Sequence, residues 1–292
     1  MMSKVLLVLT MVVLLVSSAM ATDDSTVVPS APYYASVEEA RAAVGDDRNI
    51  MIDFYTDWCK WCKMNDTVVF VNPKVIDFFT NEVALVKVNA EVDTALAKKY
   101  HISAYPTSVL ITTSGDEIDR VHYEEPDTLL QTLRNYANGI GTLEDLLSKI
   151  DKEFDREMAL KIAEKYGSRG GDDASVKWFQ KVIKAGDPTD SLSGECRMSL
   201  ARIPYGDKEY DTAIAAYEAV IKDFEGTYFA EQSTIWRGYI FKKKGDTSSA
   251  IAAFEDFVKQ YPQSEDLEWV QGQISKLKGE EPKPEPKSED EG

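Results

Sequence analysis

The segment Asp53-Phe-Tyr-Thr-Asp-Trp58-Cys59-Lys60-Trp61-Cys62-Lys63-Met64 holds the residues best equipped for chemistry in this chain. Two cysteines three positions apart can close a small disulfide ring. If a helix opens at that point, the first sulfur lies near the unpaired N–H groups of the first turn. Those groups and the helix dipole favour a thiolate, the form that attacks disulfides. Lys60 adds a nearby positive charge. Cys59 is therefore the expected attacking thiol. Cys62, one turn further in, is the expected resolving thiol that releases product.

A C-x-x-C also occurs in zinc and haem sites. Zinc wants about four ligands, yet the chain has a single C-x-x-C, and its histidines are His101 and His122. Covalent haem attachment needs His directly after the second cysteine, where Lys63 stands. A purely structural disulfide stays open as an alternative, although so small a ring is a poor staple. No metal and no cofactor are expected beyond the redox-active Cys59–Cys62 disulfide itself. Cys196 shares one helical face with Leu192, Leu200 and Ile203 and is expected in a core. His101 and His122 show no partners in the sequence and are expected to be structural.

Elements around the cysteines follow from local pattern. Ser36-Val-Glu-Glu39 fits a capping box and predicts a helix over 37–44. Residues 49–55 are apolar after a turn at 45–48, which predicts a buried strand leading straight to the cysteines. Pro73 can open a helix over 74–79. Residues 83–89 predict a second strand and 92–100 a helix. Residues 107–113 and 118–123 predict two strands joined at Ser114-Gly115-Asp116. Residues 126–138 predict a helix stopped by Gly139. Strands alternating with helices, then a hairpin, predict an α/β fold with a mixed central sheet flanked by helices.

Three segments in register then resemble the thioredoxin family. They are Asp57-Trp58-Cys59-Lys-Trp-Cys62-Lys63 after the 50–55 strand, Val86-Lys87-Val88-Asn89, and Lys99-Tyr100-His-Ile-Ser-Ala-Tyr105-Pro106-Thr107. The resemblance covers about residues 37–139. The Trp-Cys-x-Trp-Cys-Lys form is most similar to the exported thioredoxin-like group, which includes the periplasmic C-terminal domain of the bacterial thiol:disulfide interchange reductase. This resemblance implies a thioredoxin fold and a role for each matching position. Pro106 becomes the cis-proline facing the dithiol, and X-Pro bonds tolerate cis at small cost. Tyr105 presents its backbone to an extended substrate. Asp53 becomes the buried acid that helps take the Cys62 proton. Lys87 becomes the buried lysine paired with that acid, since burying either alone is costly; a snorkelling strand lysine is the alternative. Trp58 forms a shelf beside the site, or else packs in the core. Lys60-Trp61 stands where thioredoxin itself has Gly-Pro, a pair that tunes potential and contacts. No glycine matches the one after the family's last strand near Val121-His122-Tyr123, which implies a narrower substrate groove.

After Gly141 the strand signal fades and a repeat emerges. Segments 176–183, 214–221 and 251–258 resemble one another, with Phe179, Tyr217 and Phe254 at matching positions. A Gly-Asp turn precedes each, at Gly171, Gly206 and Gly245, and Pro262 closes the last. This is similar to the tetratricopeptide repeat, with a spacing somewhat wider than its usual ~34 residues. An all-α helical-repeat domain is expected over 141–278, with Trp178, Trp236 and Tyr239 joining the repeat core rather than forming a ligand cage. Unrelated helical hairpins are the alternative.

The formal net charge of −17 argues against a nucleic-acid surface, which needs clustered Lys and Arg. Lys4, the apolar run 5–16, and Ala19 and Ala21 predict an export signal cleaved after Ala21. That run is shorter than the ~20 residues that span a bilayer; an uncleaved anchor is the alternative. No later stretch can span a membrane. The expected organisation is a signal peptide at 1–21, a flexible leader at 22–33, a thioredoxin-like domain at 34–140, helical repeats at 141–278 and a disordered acidic tail at 279–292. The expected activity is that of a thiol–disulfide oxidoreductase, exported, soluble, and periplasmic or secreted. It would exchange disulfides with protein substrates, as reductase first, with a protein partner on the repeats. The alternatives are an oxidase or isomerase, and a repeat scaffold whose thioredoxin domain only binds.

Overall fold

The computed structural model describes residues 29–45 and 48–279. The expected signal segment, the leader up to residue 28 and the tail from residue 280 lie outside the described residues.

Strands β1 (Tyr33–Tyr34), β2 (Ile50–Tyr55), β3 (Ala84–Asn89), β4 (Thr107–Ile111) and β5 (Glu117–Val121) form one sheet in the order β1-β3-β2-β4-β5. β1 and β2 run parallel to β3, whereas β4 is antiparallel to β2 and β5 to β4. The sheet is therefore mixed, as expected. β2 lies at its centre, buried over all but its last residue, which is why its sequence reads as a continuous apolar run.

Successive side chains of a strand point to opposite faces, and β2 uses both. Met51 packs with α3 (Pro73–Asn81) and α5 (Pro126–Ala137) on one side. Ile50, Ile52 and Phe54 pack with α1 (Val37–Val44) and α4 (Thr94–Lys99) on the other. α1 starts where the capping box put it, with the Glu39 N–H donating to Ser36. α2 (Lys60–Met64) carries the dithiol and continues into a π-helical turn, Asn65–Val69.

The leader is shorter than expected. Ala31 is buried, and its N–H donates to the Phe70 carbonyl at 2.7 Å. Tyr33 and Tyr34 pair with Leu85 and Val86. The prolines nearby suggested open chain, but a parallel partner fifty-odd positions away leaves no local signature.

The second domain is all helix: α6 (Leu143–Ile150), α7 (Arg156–Gly167), α8 (Asp172–Lys184), α9 (Ser191–Gly206), α10 (Tyr210–Asp223), α11 (Tyr228–Lys244), α12 (Thr247–Gln260) and α13 (Leu267–Lys278). Each packs on its neighbour in the chain, as repeat architectures do. Phe179, Tyr217 and Phe254 are all buried, one in each successive core. Trp236 stacks on Tyr217 with ring centroids 5.9 Å apart. Gly238 is glycine because a Cβ there would come within 2.6 Å of the Phe254 ring. Cys196 is fully buried in the first of these cores with Leu192 and Leu200 beside it. Among the described residues no helix is long and apolar enough to cross a membrane.

The two domains meet through ion pairs. Asp119 of β5 is fully buried and accepts from Lys165 and Arg169 at 2.8 Å each, and from the Leu143 N–H at 3.1 Å. Arg169 also pairs with Glu117 at 2.8 Å, and the Arg120 guanidinium donates to the Ser168 carbonyl. On the other side of this contact the His101 ring lies against Gly170 so closely that a Cβ at Gly170 would stand 2.5 Å from Nδ1. His101 itself adopts φ 52°, a left-handed conformation few side chains take. The turn between α7 and α8 therefore touches both the edge strand and the loop that runs to Tyr105–Pro106.

Candidate redox site

Cys59 caps α2 and is joined to Cys62 in a disulfide, with Cα atoms 5.3 Å apart. The Cys62 N–H points at the Cys59 sulfur, 3.0 Å away. This is the arrangement that favours a thiolate at Cys59 once the bond is reduced. Both cysteines are buried; Lys60 and Lys63 flank them in the open. β2 delivers the chain to this point. The following turn is closed by the Cys59 N–H, which donates to the Thr56 carbonyl at 3.2 Å.

The strand that leads to the dithiol holds a buried polar group. Asp53 is fully buried in β2 and accepts from the Ser108 hydroxyl at 2.9 Å across the β2–β4 ladder. Burial pushes its carboxyl up from 3.8 to about 6. The Lys87 charge and the bonds from Ser108 and Asn65 oppose that rise. Asn65 follows Cys62 by three positions, so the acid lies against the helical segment that carries the resolving thiol.

Lys87 is the register partner of Asp53 on β3, but its direct ion pair is with Asp66 in the π-helical turn, not with Asp53 as the family resemblance implied. Its ammonium also lies over the Tyr55 and Phe70 rings, at 5.1 and 5.3 Å. The π turn swings Asp66 to within reach, and an exposed carboxylate is the cheaper partner for a charge that Asp53, itself desolvated, can only feel at a distance.

The Tyr105–Pro106 bond is cis. Tyr105 meets Trp58 edge-on with ring centroids 5.8 Å apart, which ties this loop to the dithiol turn. Trp58 is 66% exposed, so it is not a core residue, and its indole N–H donates to Glu91 at 2.9 Å. Trp61 is 53% exposed and packs on Tyr123, centroids 5.1 Å apart. His122, for which the sequence offered no partner, holds the cis-proline loop. Its Nδ1 lies 3.1 Å from the Pro106 carbonyl and 3.2 Å from Thr107 Oγ1. A carbonyl only accepts, and the Thr107 hydroxyl already donates to Ala104, so Nδ1 carries the proton here.

The structure thus brings Cys59, Cys62, Asp53, Trp58, Trp61, Tyr105 and Pro106 to one end of the sheet. It adds Ser108, Asn65, Asp66 and Glu91, which sequence reasoning missed, and gives partners to His122 and Tyr123, which the sequence marked only as a structural histidine and a position beside the groove. Of these four Ser108 alone left a trace, as a buried polar residue ahead of the apolar Val109, Leu110 and Ile111 of β4. Among the described residues no group of three or more His, Cys, Asp or Glu could hold a metal ion.

A mixed sheet with an apposed cis-proline loop and a C-x-x-C disulfide capping a helix defines a thiol–disulfide exchange protein of thioredoxin fold. The family model described as Thioredoxin matches residues 33–135, and one described as "YfiO: Outer membrane lipoprotein" matches residues 200–271 in the helical region. The thioredoxin of Porphyra purpurea is 30% identical over 96 residues, 32% of this chain and 86% of that protein. The chain belongs to the thioredoxin family through this domain. The thiol:disulfide interchange protein DsbD of Ralstonia nicotianae is 31% identical over 106 residues, 34% of this chain. A putative disulphide-isomerase structure from Bacteroides thetaiotaomicron is 32% identical with TM-score 0.34, covering 38% of this chain and 97% of that one. The chain spans 17% of the length of the Ralstonia protein and 26% of a protein disulfide-isomerase from Schizosaccharomyces pombe. Relatives of the thioredoxin domain are thiol–disulfide oxidoreductases, and the Cys59–Cys62 pair fits that activity.

Proposed function

We propose that this chain is an exported reductase of protein disulfides, working in the periplasm or outside the cell, with the helical repeats engaging a protein partner. The reduced Cys59 thiolate attacks one sulfur of a substrate disulfide. That bond breaks, one substrate thiolate leaves and takes a proton from water, and a mixed disulfide forms. Cys62 gives its proton to Asp53 and attacks the Cys59 sulfur. The second substrate sulfur leaves as a thiolate and takes a proton from water, Asp53 returns the Cys62 proton to solvent, and the Cys59–Cys62 disulfide remains. Two electrons have passed to the substrate, and an external dithiol must return them. Tyr105 and Pro106 position the substrate backbone, and Lys60, Lys87 and Trp58 tune the site.

The observation that carries this reading is Asp53, a fully buried acid, pushed up by that burial to about 6, beside the helical segment of the resolving thiol, where a purely structural disulfide would have no use for it. The similarity to the interchange protein DsbD supports the reductive direction and the export. The test is the equilibrium of the purified protein with a glutathione or dithiothreitol redox buffer. A reductase sits at a low potential, near or below that of thioredoxin at about −270 mV. A potential near that of an oxidant, about −120 mV, would reverse the assigned direction.

A further inference from the structure

Four rings flank the dithiol in two pairs. Trp58 meets Tyr105, and Trp61 meets Tyr123. Each pair is pinned by a carboxylate: the Trp58 indole donates to Glu91 and the Tyr123 hydroxyl to Glu125, both at 2.9 Å. His122, beside Tyr123, holds the Pro106 carbonyl. The segment His122–Tyr123 therefore joins the indole between the two cysteines to the loop that apposes them. Trp61 keeps half its surface in water although an aromatic ring gains strongly from burial. Its ring is already oriented by Tyr123, so a substrate side chain packing on it would pay little ordering entropy.

We propose that Trp61 and Tyr123 are specificity-determining residues, an aromatic wall that selects disulfides in extended segments with an aromatic residue two positions from the cysteine. The reasoning is geometric. In an extended strand, side chains at i and i+2 face the same way, roughly 6.6 Å apart, while i+1 faces away. A substrate strand that presents its cysteine to Cys59 therefore turns its second neighbour, not its first, toward the protein surface. On the protein side Trp61 stands between the two cysteines on α2, with its ring exposed beside them. The wall is built from a residue inside the C-x-x-C and one just after β5, so each could be read only when the two were seen together.

This inference rests on the exchange reading above. The experiment measures second-order rates of the reduced full chain with disulfide-linked peptides carrying Trp at i+2, Trp at i+1 or Ala at both, and with hydroxyethyl disulfide. The expected preference for Trp at i+2 over Ala is ~3- to 10-fold, in line with one aromatic pair, with no gain for Trp at i+1. Tyr123→Ala leaves the cysteine ring unaltered, and it should bring the ratio to about one. Tyr123→Phe keeps the ring and should keep the preference. Equal wild-type rates for Trp at i+2 and Ala, or a ratio unchanged in Tyr123→Ala, would overturn the proposal while exchange itself stands. Absence of reaction with every disulfide would overturn the exchange reading and this one with it.

Discussion

Ser108 donates its hydroxyl to the Asp53 carboxylate from directly across the β2–β4 ladder, at 2.9 Å. It favours the ionised acid in a place where burial disfavours it. Removing this donor with Ser108→Ala should raise the Asp53 carboxyl further above about 6. The acid limb of the pH–rate profile for disulfide reduction should then move up by about one pH unit. An unmoved limb would show that another group accepts the Cys62 proton.

Asp53 also links stability to pH. Its folded value is raised, so the folded chain binds the proton more tightly than the unfolded one. That contribution is complete below the ordinary value of 3.8 and is lost as pH rises through about 6. Asp53→Asn should flatten the decline across this window and leave the protein more stable at pH 8, by on the order of 2–3 kcal/mol. Urea unfolding at a series of pH values measures both.

The three thiols should separate cleanly by reactivity. Burial pushes the Cys196 thiol up to about 12, which leaves almost no thiolate at pH 8. In the reduced folded protein Cys59 should alkylate first and Cys196 last, as mass spectrometry after timed iodoacetamide would show. Cys62→Ser should accumulate mixed disulfides through Cys59. Cys196→Ala should cost ~1 kcal/mol through a small cavity and leave turnover alone.

The ionic seam between the domains has a direct test. Asp119→Ala would leave Lys165 and Arg169 facing each other without their shared carboxylate. Both cations retain some access to water, so the loss should be ~2–3 kcal/mol rather than the full penalty of a stranded buried charge. Hydrogen exchange should accelerate in β5 and in the α7–α8 turn together. Acceleration in only one of them would mean that the seam does not couple the domains.

Local signals carried most of the thioredoxin domain. The capping box at Ser36, the apolar run of β2, and Pro73 and Pro126 at helix starts each act within a few residues, and each element formed where they stood. The place of Cys59 at a helix start was legible for the same reason, because a helix start is a local event. What escaped depended on distant contact. β1 exists only because β3 accepts it, and Lys87 turned to Asp66 because a π turn, which has no sequence mark, brought that carboxylate over. His122 gained its partner from a loop sixteen positions away. The seating of the repeats on β5 was invisible as well. Glu117 and Asp119 find their partners in Lys165 and Arg169, about fifty positions further along the chain. These contacts make the junction a fixed mount.

That mount bears on solubility. A sheet of five strands has two margins, and a bare margin invites another chain to add a strand. On one side β1 is two residues long and preceded by Pro32, too short to template anything. On the other, β5 has its charged side chains occupied by α7 and the turn after it. Cutting the chain between α5 and α6 would spare both cores of the thioredoxin domain, yet it would unmask β5. The shortened protein should fold and still self-associate, for want of the helices that guard its edge.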